Sequence, residues 1–354
     1  MNILITGVGG PTPRSFAHSI KNVGFQYNSA KLIGTDINPL AIGLYQTNLF
    51  DFSYVIPRAD SPEYWQAIQK IVDKHDIDIA VILPELEVLE WSKRDVQEKL
   101  PCKVLLPSFK INELLVDKSK MTEVLKDLDL VPTSLSFHRD TKDLQYVFAS
   151  LGYDFWVRSS SGTSGLGSLR VDGIKSLLNW IEINPNVQNF LASKFLSGRN
   201  LACKLLYWKG KLLRSACGER VNYIMAKVAP SGITGNTSFG RLLNEPDLVE
   251  TAIKAMESVF EHTQAQKHGF FTVDFKEDEL GKPYITEINV RHVAFTQCFA
   301  AAGANFAEDT IRLLDNDTSF NHNYRMYEFE PNTIFLRDVD ERPILMKEYQ
   351  LLKN

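Results

Sequence analysis

The first hundred residues limit the fold most. Short apolar runs alternate with stretches of helical spacing, and turn-forming residues close several of the runs. Residues 2–6 end in Gly7-Val8-Gly9-Gly10, and a helical pattern follows over 15–23. Residues 31–34 lead to Asp36, and 51–56 hold another short strand. Trp65, Ile68, Ile71 and Val72 share one face of a helix over 64–75. Residues 77–83 stop at Pro84, 85–100 are helical again, and 103–106 form a strand. Parallel strands need long crossovers, which helices supply. The pattern predicts a mainly parallel, doubly wound sheet over residues 1–110.

From residue 111 the style changes. A helix is expected over 111–128, striped by Leu114, Met121, Val124, Leu125 and Leu128 and ended by Leu130-Val131-Pro132-Thr133. Further helices are expected over 143–150, 174–183, 247–262 and 299–314. Strands are expected over 154–158, 168–171, 190–195, 201–207 and 212–217, the last two joined as a hairpin. This is α+β architecture with antiparallel pairs. At 354 residues the chain has room for several domains. Residues 316–354 offer one strand candidate, 332–337, and no recognisable chemistry.

The chemistry concentrates in FTVDFKEDELGKPYITEINVR, residues 271–291. Residues 277–282 read as a turn. Glu287, Asn289 and Arg291 alternate, so their side chains leave one face of a strand. With the turn's tip near Glu279-Leu280, Asp274 stands opposite Glu287. Facing carboxylates repel unless a cation lies between them. Two carboxylates and an amide carbonyl are hard oxygen ligands suited to Mg²⁺ or Mn²⁺. Arg291 adds a fixed positive donor. The alternative is an exposed hairpin with a charged solvent face.

Other segments admit two readings each. Residues 158–167, RSSSGTSGLG, combine an arginine with glycines and hydroxyls that let backbone N–H groups approach an anion. The same composition suits a surface loop. Asp117-Lys118 reads as a solvated pair on the polar side of a helix. Gly7–Gly10 with Asp36 invites a dinucleotide reading, but G-V-G-G-P-T-P lacks the G-x-G-x-x-G spacing, so a tight strand–helix turn is the simpler expectation. A nicotinamide-dependent oxidoreductase would also leave the 274–291 cluster unexplained. Net charge is −4, which gives no sign of a nucleic-acid partner. No window reaches the ~20 apolar residues of a membrane span. The four cysteines form no CxxC pair and read as thiols in a reducing compartment, so the cytoplasm is expected.

Taken in order, these motifs resemble the ATP-grasp superfamily, in the style of the carbamoyl-phosphate-synthase large chain and its carboxylate–amine ligase relatives. The resemblance covers most of residues 1–314. It implies a pre-ATP-grasp domain over 1–110, ATP-grasp subdomains over 111–190 and 191–320, and a tail over 321–354 packed on the body. It implies ATP and Mg²⁺ (or Mn²⁺) as cofactors, with Asp274, Glu287 and Asn289 as metal ligands. Lys118 and Arg158 would grip the phosphates, helped by the loop residues Ser161, Gly162, Thr163, Gly165 and Gly167. Lys194-Phe195-Leu196 and Asn200 would border the adenosine. Arg291 and Arg158 would be catalytic. The implied activity phosphorylates a small-molecule carboxylate to an acyl phosphate and couples it to an amine or other nucleophile. The resemblance leaves open phosphorylation of bicarbonate or carbamate, a nucleotide-binding protein without catalysis, and a homodimer. The chain departs from the pattern at Ser193, where a glutamate is usual, at Asn200, where an acid is usual, and at Val290, where proline is usual.

Overall fold

The computed structural model describes residues 1–24, 26–161, 168–338 and 352. Its first sheet contains β1 (Asn2–Thr6), β2 (Lys31–Asp36), β3 (Phe52–Val55), β4 (Ile79–Val81) and β5 (Lys103–Val104). The order is β3-β2-β1-β4-β5, all parallel. Such sheets are buried on both faces, and β1 shows it directly. Ile3 and Ile5 pack with Phe16, Leu32 and Leu44, while Leu4 faces Tyr64, Ile68 and Trp91 on the other side. The crossover helices are α1 (Pro11–His18), α2 (Tyr64–His75) and α3 (Glu85–Gln97). The expected helix at 15–23 begins four residues earlier and ends as a π-helical turn, Ser19–Val23. Pro11 and Pro13 lie in the first turn, where a helix has no intrahelical use for N–H groups.

The expected helix over 111–128 is two helices, α4 (Phe109–Leu115) and α5 (Lys118–Leu125), followed by a short 3₁₀ turn. Asp117 breaks the run: its carboxylate caps α5 by accepting from the N–H groups of Ser119 (2.9 Å) and Lys120 (3.4 Å). Thus Asp117-Lys118 is not a solvated pair. Lys118 is buried, 7% exposed.

A second sheet, ordered β6-β9-β7-β8, is antiparallel. It is built from β6 (Ser134–His138), β7 (Phe155–Ser159), β8 (Leu169–Val171) and β9 (Asn189–Lys194), and shares a core with α6 (Gln145–Leu151) and α7 (Ile174–Ile183). The third and largest sheet comprises β10 (Asn200–Trp208), β11 (Lys211–Tyr223), β12 (Thr237–Leu243), β13 (Gly269–Glu277), β14 (Pro283–Asn289), β15 (Arg325–Met326) and β16 (Ile334–Leu336). Along β10, Leu201, Cys203, Leu205 and Tyr207 join the core under α4, α5 and α8 (Pro246–Thr263). Ala202 and Leu206 point the other way, toward α9 (Thr296–Ala301) and α10 (Phe306–Asp315). The helix expected at 299–314 is thus interrupted, and Gly303 turns there with φ +93°. Residues 325–336 are more than a tail laid on the body: β15 pairs with β11 and β16 with β12.

Candidate active site

The β13–β14 hairpin pairs Asp274 with Glu287 and Thr272 with Asn289. Its turn is held by Asp278, whose carboxylate accepts from the N–H groups of Leu280 and Lys282, both at 2.9 Å. A register shift between Asp274 and Phe275 locally kinks the ladder. Both carboxylates therefore stand on one face, and four cations from separate parts of the chain gather around them. Lys118 Nζ at the start of α5 lies 3.1 Å from Glu287 Oε1. Arg220 Nη2 near the end of β11 lies 2.6 Å from Asp274 Oδ1. Arg158 on β7 reaches across and donates to the Thr286 carbonyl at 2.7 Å. Arg291, two residues beyond β14, donates to the His292 carbonyl at 3.1 Å.

Burial alone would raise the Glu287 pKa, but Lys118, Arg158 and Arg291 outweigh it and hold that carboxyl below its ordinary value. For Asp274 burial wins, with Glu287 adding repulsion, so its pKa rises to about 6 despite Arg220. The Asn289 amide is oriented with Nδ2 toward Asp274 Oδ2, 3.1 Å away. It acts here as a donor to Asp274, whereas the sequence reading gave it a carbonyl ligand's role. An amide turned by 180° exchanges the two functions.

Two cavities meet at this wall, and Asp274, Glu287, Arg220 and Gly235 line both. The first, of about 410 Å³, contains Lys118, Arg158, Lys194, Phe195, Leu196 and Asn200 among its lining residues. These six, which the sequence reading set beside phosphate and adenosine, line one space. Ser161 is exposed and lines neither cavity. Gly162, Thr163, Gly165 and Gly167 lie outside the described residues. The neighbouring Ser160 is fixed by its carbonyl, which accepts from Lys118 N at 2.8 Å.

The second cavity, of about 300 Å³, lies between the hairpin and the first sheet. Its walls include Asn289 and Arg291 on one side, and Gly7, Gly10, Thr12 and Pro84 on the other. These last residues follow the carboxyl ends of β1 and β4, where open α/β sheets offer a crevice. Gly7 has φ +70°, and a Cβ there would meet Pro84 Cγ at 2.5 Å. Asp36 anchors this loop, accepting from Gly9 N at 2.7 Å and Asn38 N at 2.9 Å. One oxygen thus serves the tight turn and the other the chain that leaves β2.

Sequence reasoning missed two components. Arg220 sits in an unremarkable strand, and only its pairing with Asp274 singles it out. The segment Ser231, Gly232, Ile233 and Gly235 lines the first cavity, with Gly232 and Gly235 at positive φ; its P-S-G-I-T-G composition was the available signal. Among the described residues, no group of three or more His, Cys, Asp or Glu side chains is placed to hold a metal, so a cation here relies on the two carboxylates and on non-acidic oxygens. No described helix is long and apolar enough to cross a membrane.

No family model and no curated protein matches the chain. Solved structures match over most of its length. N5-carboxyaminoimidazole synthetase from Staphylococcus aureus, complexed with ADP, superposes with a TM-score of 0.66 at 17% identity, covering 95% of this chain and 79% of that one. Biotin carboxylase from Campylobacter jejuni gives 0.65 at 18%, covering 91% and 72%. L-amino acid ligase from Bacillus licheniformis gives 0.61 at 16%, covering 88% and 74%. Identities this low speak for the backbone arrangement alone, and on that arrangement the chain has the ATP-grasp fold.

Proposed function

We propose that the protein is an ATP-dependent ligase that phosphorylates a substrate carboxylate and couples the acyl phosphate to an amine or another nucleophile. The observation that carries this reading is the shared wall: four cations surround two carboxylates where a nucleotide-sized cavity meets a smaller one. An excess of fixed positive charge around a desolvated space suits a polyanion. Structural neighbours crystallised with ADP or with an ATP analogue support it.

In this reading residues 111–190 and 191–320 close on the nucleotide. Lys118 and Arg158 hold phosphate oxygens, and Lys194, Phe195, Leu196 and Asn200 border the adenosine. The donor set fits Mg²⁺ or Mn²⁺: two carboxylates meet across one ladder position, and an amide lies within hydrogen-bond distance of one of them. Asp274, Glu287 and Asn289 would hold the ion, which when bound neutralises phosphate charge. An oxygen of the substrate carboxylate attacks the γ-phosphorus, and the bond to the β–γ bridging oxygen breaks, releasing ADP. The nucleophile then adds to the acyl carbon, loses its proton and expels phosphate. Arg291 stabilises the charge that develops on the transferred group, and its guanidinium can fork two oxygens.

Phosphate release with MgATP across a panel of carboxylates and amines tests this reading. One pair should release phosphate in proportion to ligated product, and MgATP should raise the melting temperature. Neither stabilisation by MgATP nor release with any pair would reject it.

A further inference from the structure

Arg220 is held in a way that its present contacts do not use up. Its Nη2 donates to Asp274 Oδ1 at 2.6 Å, and the Tyr223 hydroxyl lies beside it. Its Nε is buried with no hydrogen-bond partner among the described residues. Nε and Nη2 are the two donors of the guanidinium's side-on fork, which matches the two oxygens of one carboxylate. Asp274 therefore fills half of a fork and leaves a buried donor empty, a costly arrangement. The guanidinium also lies over the Phe295 ring, 4.9 Å from its centroid, which gives it a flat platform. The β11–β12 ladder slips between Arg220 and Asn222, so the backbone itself departs from regular register here. Finally, Arg220 lines both cavities.

We propose that Arg220 binds the carboxylate of the acceptor in the second cavity, and that it becomes available only when a metal ion takes over Asp274. This inference rests on the ligase reading above. A carboxylate cannot give the same oxygen fully to a cation and to Arg220. Once Asp274 turns to the metal, Arg220 loses its ion pair while its side chain is largely buried. The second cavity then presents an unpaired fork beside Arg291, and a small carboxylate satisfies both donors. Metal and acceptor binding are coupled through one side chain, and the coupling is reciprocal. An acceptor that arrives first meets a fork already half occupied by Asp274.

The test uses the whole protein with ADP and ¹³C-acetate as the simplest carboxylate probe. Acetate affinity is measured by NMR line broadening, with Mg²⁺ or with a chelator in its place, for wild type, R220K and R220M. ADP affinity and melting temperature are measured for each. Wild type should bind acetate roughly fivefold or more tightly when Mg²⁺ is present. R220M should lose roughly tenfold or more of the Mg²⁺-dependent acetate affinity when each protein is held at saturating ADP. R220K keeps the charge without the fork and should lie between them. Replacing Mg²⁺ by Mn²⁺ should relax the acetate signal strongly in wild type, which places the probe beside the ion. Equal acetate affinity in wild type and both variants, or equal affinity with and without metal, overturns the proposal while leaving the ligase reading intact. A wild-type protein that binds neither ADP nor metal overturns the ligase reading itself, and this inference with it.

Discussion

The Lys118–Glu287 pair can be tested without any substrate. At 3.1 Å the gross Coulomb attraction is about 5 kcal/mol at an effective dielectric of about 20. Most of that is offset. Both groups leave water to form the pair, and Arg158 and Arg291 also attract Glu287. Glu287 keeps 28% of its side chain exposed, against 8% for Lys118, which places the pair between a surface bridge and a fully buried one. Surface pairs contribute about 0–1 kcal/mol, whereas breaking a buried pair costs about 3–5 kcal/mol. A coupling energy of about 1–3 kcal/mol follows. The assay is a double-mutant cycle of K118M, E287Q and the double variant, read by urea unfolding. K118M should also move the Glu287 pKa upward, because the depressing cation is gone. The sign follows from linkage. Glu287 has a folded pKa below its unfolded value, so it contributes stability above about pH 4.5 that is lost as pH falls through the folded value. K118M should therefore blunt the loss of stability on acidification. A coupling below about 0.5 kcal/mol, within the usual additivity error, would refute the claim that these groups neutralise each other in the folded protein.

Three further outcomes are expected. Glu87 is buried, accepts from the Tyr64 hydroxyl at 2.8 Å, and is raised to about 7 chiefly by burial. The native state then holds a proton that the unfolded chain has released between about pH 4.5 and 7, so stability falls as pH rises through that window. Urea midpoints measured from pH 5 to 8 should show that fall in wild type and much less of it in E87Q; matching profiles would remove the assignment. Asp117→Ala removes the α5 cap and should cost about 1 kcal/mol. Because Lys118 begins that helix, ADP affinity measured by calorimetry should weaken as well, and an unchanged affinity would detach the cap from the site. Arg291→Lys should lower kcat by roughly 10²–10³ with little change in the KM for ATP, whereas a lower melting temperature with wild-type kcat would make Arg291 structural.

The parts of this protein that were legible in sequence are those whose signals are local. The helix Tyr64–His75 follows from four apolar positions at helical spacing, and the structure gives the same bounds. The facing of Asp274 and Glu287 follows from strand alternation and turn chemistry within one hairpin. Strands with a weak pattern were not legible. Ser134–His138 buries only Phe137 well, and Thr237–Leu243 carries a glycine whose absent side chain makes room for Phe335. Tertiary pairing, not periodicity, makes these segments strands. The helix break at Asp117 was hidden because the apolar positions on either side of it, Leu114 and Met121, keep the same helical phase. A capping aspartate inside a good stripe looks like one more polar-face residue until its neighbours' N–H groups are located.

The same contrast separates the acids of the site from its bases. Both carboxylates come from one hairpin, so their opposition is a property of 14 consecutive residues, 274–287. The cations come from the start of α5, from β7, from β11 and from the chain just after β14, and two sheets and a helix must be assembled before they meet. Positive charge in a strand reads as a solvent-facing side chain, because most lysines and arginines are exposed. The same expectation fails for Lys204. It is fully buried on β10, donates to the Thr296 hydroxyl at 3.1 Å, and has Phe270, Phe295, Phe299 and Phe306 within 6.0 Å. Burial lowers its pKa to about 7. Phe295 links the two buried cations, since Arg220 lies on it as well. Truncating this ring would therefore disturb both a neutralisable lysine and the arginine that holds Asp274. The aromatic residues behind the acidic pair are thus part of how its charge is set.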